Sequence, residues 1–105
     1  MKLKYQNKEI ELIECKSFYS RLKGFMQTKT IQHALLFDKC NSIHTFFMKT
    51  SIDVIFCNKE NKVIAYYQNL PKNKIIWPIK NATRTYETPP NYFDIKINDT
   101  MEVIK

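Results

Sequence analysis

A histidine, a threonine and an aspartate lie inside two neighbouring apolar stretches: His44 and Thr45 within residues 43–48, and Asp53 within residues 52–57. A histidine held by a carboxylate can serve as a general base, and Thr45, Thr50, Ser51 or Cys57 could then supply a nucleophile. Without a nucleophile the same groups suit a ligand pocket, where apolar walls make contact and a few polar atoms fix orientation. As purely structural groups, His44 is a half-buried ring bonded to backbone, and Asp53 is a turn-capping carboxylate. Register decides among these. His44, Phe46 and Met48 share one face of an extended segment, and Asp53, Ile55 and Cys57 share one face of the next. Pairing Met48 with Asp53 puts His44 near Cys57, whereas pairing Met48 with Ile52 turns His44 and Asp53 in opposite directions. The residues leave that choice open.

Other reactive side chains point to structure. Arg21 and Glu87 have the chemistry of a buried ion pair joining a helix to a late strand, since a guanidinium matches a carboxylate. His33, His44, Cys40 and Cys57 are the softer metal ligands, but none sit at CxxC or HxxxH spacing, so neither metal nor cofactor is expected. His33, between Gln32 and Ala34, is expected to be exposed. Three scattered cysteines make a poor disulfide framework and suit reduced thiols in the cytoplasm.

The elements that would position these groups are mostly strands. At 105 residues, 44% hydrophobic and 13% aromatic, the chain has material for one core and one domain, residues 1–105. Leu3 and Tyr5 alternate with lysines, and alternation resumes over residues 9–13, which predicts a hairpin turning at Asn7-Lys8. Ser17 followed by Phe18, Leu22, Phe25 and Met26 predicts one short helix over residues 18–23, with Gly24 near its end. Residues 34–37 form an apolar run suited to a strand buried on both faces. Further strands are expected at 43–48, 52–57, 62–68, 82–87 and 101–104, with a hairpin over residues 52–68 and a loop over 70–78. The only glycine is Gly24, so Asn and Pro must make the turns. The expected class is α+β, mainly β: about seven strands and one helix in a small closed or partly open barrel.

Net charge is +7, from 17 basic and 10 acidic residues. Arg21 and Arg84 are the only arginines, whereas base reading and bidentate phosphate contacts favour arginine, so the excess reads mainly as solubility. Lys72, Lys74, Trp77, Lys80 and Arg84 could stack a base and hold phosphates. Without a nucleic-acid motif, the expectation is instead that Ile75, Ile76 and Trp77 anchor a loop while the lysines stay in water. No apolar run approaches the roughly 20 residues of a bilayer span, and no secretory signal opens the chain, so no membrane partner is expected.

Ile43-His44-Thr45-Phe46-Phe47-Met48 followed by Ile52-Asp53-Val54-Ile55-Phe56 resembles the bacterial and archaeal domain of unknown function 192 family, also called uncharacterised protein family 0127. Arg21 before Gly24-Phe25-Met26, the Leu35-Leu36-Phe37 strand, Pro71, Tyr86-Glu87 and Asn98-Asp99 follow the family pattern in order. Ser51 departs from it, standing where the family has proline. Asn91 and Asn98 stand where it has glycine, which requires Asn in the left-handed region. The resemblance implies a compact β-rich domain and brings no activity.

Three functions follow as expectations. The first is a non-catalytic domain binding a small ligand or protein segment near His44, Thr45 and Asp53. The second is a hydrolase with His44 as base. The third is weak nucleic-acid binding through Lys72, Lys74 and Lys80.

Overall fold

The structure, a computed structural model, describes residues 1–17, 24–25 and 30–105. The helix expected over 18–23, and Arg21 with it, lies outside the described residues, among which no helix occurs. The described residues form nine strands: β1 (Lys2–Tyr5), β2 (Lys8–Glu14), β3 (Ala34–Asp38), β4 (Ile43–His44), β5 (Ile52–Cys57), β6 (Val63–Leu70), β7 (Ile75–Ile76), β8 (Arg84–Thr88) and β9 (Glu102–Ile104).

Seven of them form one curled, half-barrel sheet in the order β6-β5-β8-β3-β2-β1-β9, and β4 pairs with β7 in a separate ribbon. The β2–β3 pair is parallel and the other pairs are antiparallel. At one corner the two ends of the large sheet meet: Lys62 bridges to Thr100, and the Val63 N–H donates to the Asp99 carbonyl at 2.8 Å.

Alternation splits the apolar side chains between the two faces of this sheet. On β3, Ala34 and Leu36 join one core while Leu35 and Phe37 join the other; on β5, Ile55 and Cys57 go one way and Ile52, Val54 and Phe56 the other. Leu3, Tyr5, Leu12, Tyr86 and Phe93 are also part of the first core. The second contains Phe25, Ile31 and Met48, with Ile43 and Ile76 of the β4–β7 ribbon packed against it. As expected, β3 is buried on both faces and β5–β6 is a hairpin.

Three expectations need correction. The first hairpin turns at Gln6-Asn7, because Tyr5 pairs with Lys8, and the left-handed φ of +56° falls on Gln6. Alternation could not separate the two registers, since both keep Leu3, Tyr5, Ile10 and Leu12 on one face. Residues 43–48 are not a six-residue strand: pairing stops after His44, and the Met48 N–H turns back to the Thr45 carbonyl at 3.3 Å. Residues 70–78 are not wholly loop, for they hold β7. Asparagine does replace glycine in the turns: six of the nine described non-glycine residues with positive φ are Asn, among them Asn91 (+60°) and Asn98 (+81°).

Candidate functional site

Thr45 holds the site's frame together. It is fully buried, and its hydroxyl donates to the Pro71 carbonyl at 2.7 Å while accepting the Lys74 N–H at 2.8 Å. Its own backbone pairs with the same loop, N–H to the Lys74 carbonyl at 2.9 Å and carbonyl from the Asn73 N–H at 3.1 Å. One threonine therefore pins residues 71–74 to the start of the 45–48 turn, and this brings β7 alongside β4.

The turn itself is strained. Phe47 occupies its third position at φ +64°, a conformation that type II turns reserve for Gly or Asn. A bulky residue there is a genuine outlier costing about 1–2 kcal/mol. Phe47 nonetheless points out, 67% exposed, with Phe46 beside it also exposed.

Between this turn and β7 runs an open groove of about 460 Å³, lined by Ser42, Ile43, His44, Phe46, Ile75, Ile76, Trp77 and Pro78. Six of those eight are apolar. Ile75 is 43% and Trp77 74% exposed, which overturns the expectation that they anchor their loop in the core; only Ile76 packs inward. The β4 register explains this. Ile43 faces the second core opposite Ile76, so His44 and its partner Ile75 face outward.

His44 is exposed on the groove wall, its ring stacked on Phe46 with centroids 5.3 Å apart. The Phe46 N–H donates to His44 Nδ1 at 3.3 Å. That bond assigns the proton of the neutral ring to Nε2 and occupies the lone pair a general base would use.

Asp53 stands elsewhere. It alternates with Val54, which faces the second core, so its side chain projects from the sheet face opposite the β4–β7 ribbon. The structure thus separates His44 from Asp53, and Asp53 does not line the groove. Fully buried, its carboxylate accepts the Asn69 N–H at 2.8 Å, the Asn91 N–H at 2.9 Å and the Tyr66 hydroxyl at 3.2 Å. Burial raises its carboxyl above the usual range, although all three hydrogen bonds pull the other way.

Glu87 is buried beside Gly24 (φ +48°) and Phe37, and burial pushes its carboxyl up to about 8; its expected partner Arg21 lies outside the described residues. Arg84 instead pairs with Asp38 at 3.5 Å. Cys57 is fully buried and its thiol is pushed up to about 12 by burial, so it holds almost no thiolate at neutral pH. His33 is half-buried against Phe25 at 5.4 Å rather than exposed. Among the described residues no three His, Cys, Asp or Glu side chains gather as a metal site, and no helix is long and apolar enough to cross a membrane.

The groove presents exposed aromatic and aliphatic surface and one imidazole, with a threonine behind it already saturated by backbone. Reading the residues missed Phe46, Phe47, Ile75 and Trp77 as surface groups. The available signal was four large apolar side chains in two short turn-bounded stretches that also contain lysines.

The fold defines a small β-rich domain with an open, mostly apolar groove, and sequence comparison supplies its family. Residues 1–103 match the model of the DUF192 family, described as uncharacterized ACR, and the chain belongs to that family. A UPF0127 protein from Thermococcus sibiricus is 33% identical over 95 residues, covering 82% of this chain and 61% of the relative. One from Thermococcus kodakarensis is 34% identical over 79 residues, covering 70% and 50%. The chain thus spans between half and three-fifths of the length of these relatives. Two crystal structures share the fold. A protein of unknown function from Novosphingobium aromaticivorans has a TM-score of 0.79 at 13% identity, covering 97% of this chain and 82% of that one. A candidate transcription regulator from Sinorhizobium meliloti has a TM-score of 0.80 at 14% identity, covering 96% and 89%.

Proposed function

We propose that this chain is a non-catalytic binding domain whose groove, between residues 42–46 and 75–78, receives an extended segment of a partner protein. The observation that carries the reading is the exposure of Trp77, Ile75 and Phe46 along one concave surface. Small-molecule sites enclose about 70–90% of their ligand. This groove is open along one side, which suits side chains of a passing segment instead. Exposed apolar side chains gathered along one groove support that reading, since such surfaces are where partners dock. His44 Nε2–H supplies a donor on the wall, and Thr45 keeps the two walls in register. The hydrolase alternative loses support from the occupied Nδ1 of His44, the separation of Asp53 and the burial of Cys57.

Trp77 is the chain's single tryptophan, so its emission reports occupancy directly. Peptides selected from a random display library on the full chain should shift that emission to the blue on binding. They should bind at least tenfold more weakly to Ile75→Asp and His44→Ala proteins whose melting temperatures match the parent. Selection that returns no peptide, or peptides that bind Ile75→Asp as well as the parent, would sink the proposal.

A further inference from the structure

The charge of this protein is not spread evenly. Residues 39–52 and 61–86, which contain both walls of the groove, hold seven lysines and arginines and no aspartate or glutamate. Elsewhere ten basic residues meet ten acidic ones, so the entire net charge of +7 resides in the two stretches that build the groove. Five of the seven cations, Lys39, Lys49, Lys72, Lys74 and Lys80, are exposed and lie within three residues of a wall-lining side chain. None of them takes part in the three ion pairs found among the described residues.

Genome composition would raise lysine throughout the chain; it does not by itself remove every carboxylate from the segments flanking one apolar groove. From this we infer that the segment bound in the groove is acidic, with an apolar or aromatic centre flanked by Asp and Glu. The inference rests on the groove being a peptide site and adds the chemistry of the occupant. Phe46, Ile75 and Trp77 would cover the apolar centre, and the lysines would face the carboxylates at its rim. Rim charges of this kind act mainly on encounter rate and choice of partner, and their effect is screened by salt.

Three synthetic peptides with one Phe/Leu centre test it, their flanks being Asp/Glu, the amide isosteres Asn/Gln, or Lys. Binding to the full chain is read by Trp77 emission in low salt, about 20 mM, and in high salt, about 500 mM, where the Debye length falls to a few ångströms. In low salt the acidic peptide should bind at least tenfold more tightly than the amide peptide, and the lysine peptide more weakly than both. That advantage should shrink in high salt and vanish in a Lys72→Glu/Lys74→Glu protein of unchanged melting temperature. Equal binding of the acidic and amide peptides overturns the charge inference while the groove reading stands. Failure of all three to bind removes both. Displacement of the acidic peptide by phosphatidylserine vesicles or by a single-stranded oligonucleotide, at lower concentration than the peptide itself requires, overturns it in favour of a different anionic partner.

Discussion

Asp53 Oδ1 accepts the Asn69 N–H at the point where β6 gains a residue over β5: Ile52 faces Leu70, but Val54 already faces Tyr67. A bulge leaves its extra residue outside the ladder, and here the side chain across the strand pair takes up the freed donor. The second oxygen does the same for Asn91, in the turn after Pro89-Pro90. Both asparagines have positive φ, so one carboxylate fastens two left-handed corners of the fold.

Replacing Asp53 by Ala should therefore destabilise the protein by about 2–4 kcal/mol, because the backbone donors of Asn69 and Asn91 both lose the buried carboxylate that accepts them. Asp53→Asn should cost about 1–3 kcal/mol, one amide group being unable to accept both bonds. Urea unfolding measures both. A loss under about 0.5 kcal/mol for Asp53→Ala, the usual range of a neutral surface change, would contradict the clip.

Phe47 makes the opposite prediction. Relieving its left-handed φ with Phe47→Gly should raise stability by about 1 kcal/mol, since the side chain is exposed and contributes little packing. The same change should leave the binding of groove-directed peptides unchanged, because Phe47 does not line the groove. Thermal melts and peptide titrations of the one variant read both effects, and a fall in melting temperature would show that the ring packs.

At Thr45, removing the hydroxyl and keeping the shape should cost about 1–3 kcal/mol, because the Lys74 N–H and the Pro71 carbonyl both lose the buried hydroxyl that partners them. Thr45→Val should also expose Lys74 and Ile75 amides to faster hydrogen exchange. Thr45→Ser, which keeps the hydroxyl, should restore most of the protection. Equal exchange in Thr45→Val and the parent would place the frame's strength elsewhere.

Glu87 sets a pH dependence. Its carboxyl lies near 8 in the folded chain against an ordinary 4.5, so between those values the folded state binds more protons than the unfolded state. Stability from this group is full below about pH 4.5 and is lost as pH rises toward 8. Glu87→Gln should flatten that decline and be the more stable protein above pH 8, by a margin on the order of a few kcal/mol. Unfolding free energies at pH 5, 7 and 8.5 check the sign. A parent whose stability instead rises over this range would show that an ion pair between Arg21 and Glu87 outweighs the cost of burying the carboxylate.

Much of the architecture was legible because it rests on local alternation. The residues of β3, β5 and β6 declare their strands by type, and the lack of glycine announced that asparagine would take the left-handed corners. The two asparagines standing where the family has glycine do so. What alternation cannot convey is which distant segment lies beside which. A strand of two residues carries no period, so β4 and β7 were invisible as partners, and residues 43–48 read as one strand although the backbone turns back at Thr45.

The candidate site failed at that same step. Chemical type alone made His44 and Asp53 attractive together, and type is all that a chain read along its length can offer. The amino acids by themselves determined a β-rich fold, its buried strands, its turn chemistry and its uneven charge, each a property of neighbours within a few residues. Only tertiary structure decided that Asp53 serves a bulge on one face while His44 borders a groove on the other. That decision belongs to pairings across tens of residues, Thr45 with Lys74 and Asp53 with Asn69 and Asn91, whose energy exists only once the sheet has curled.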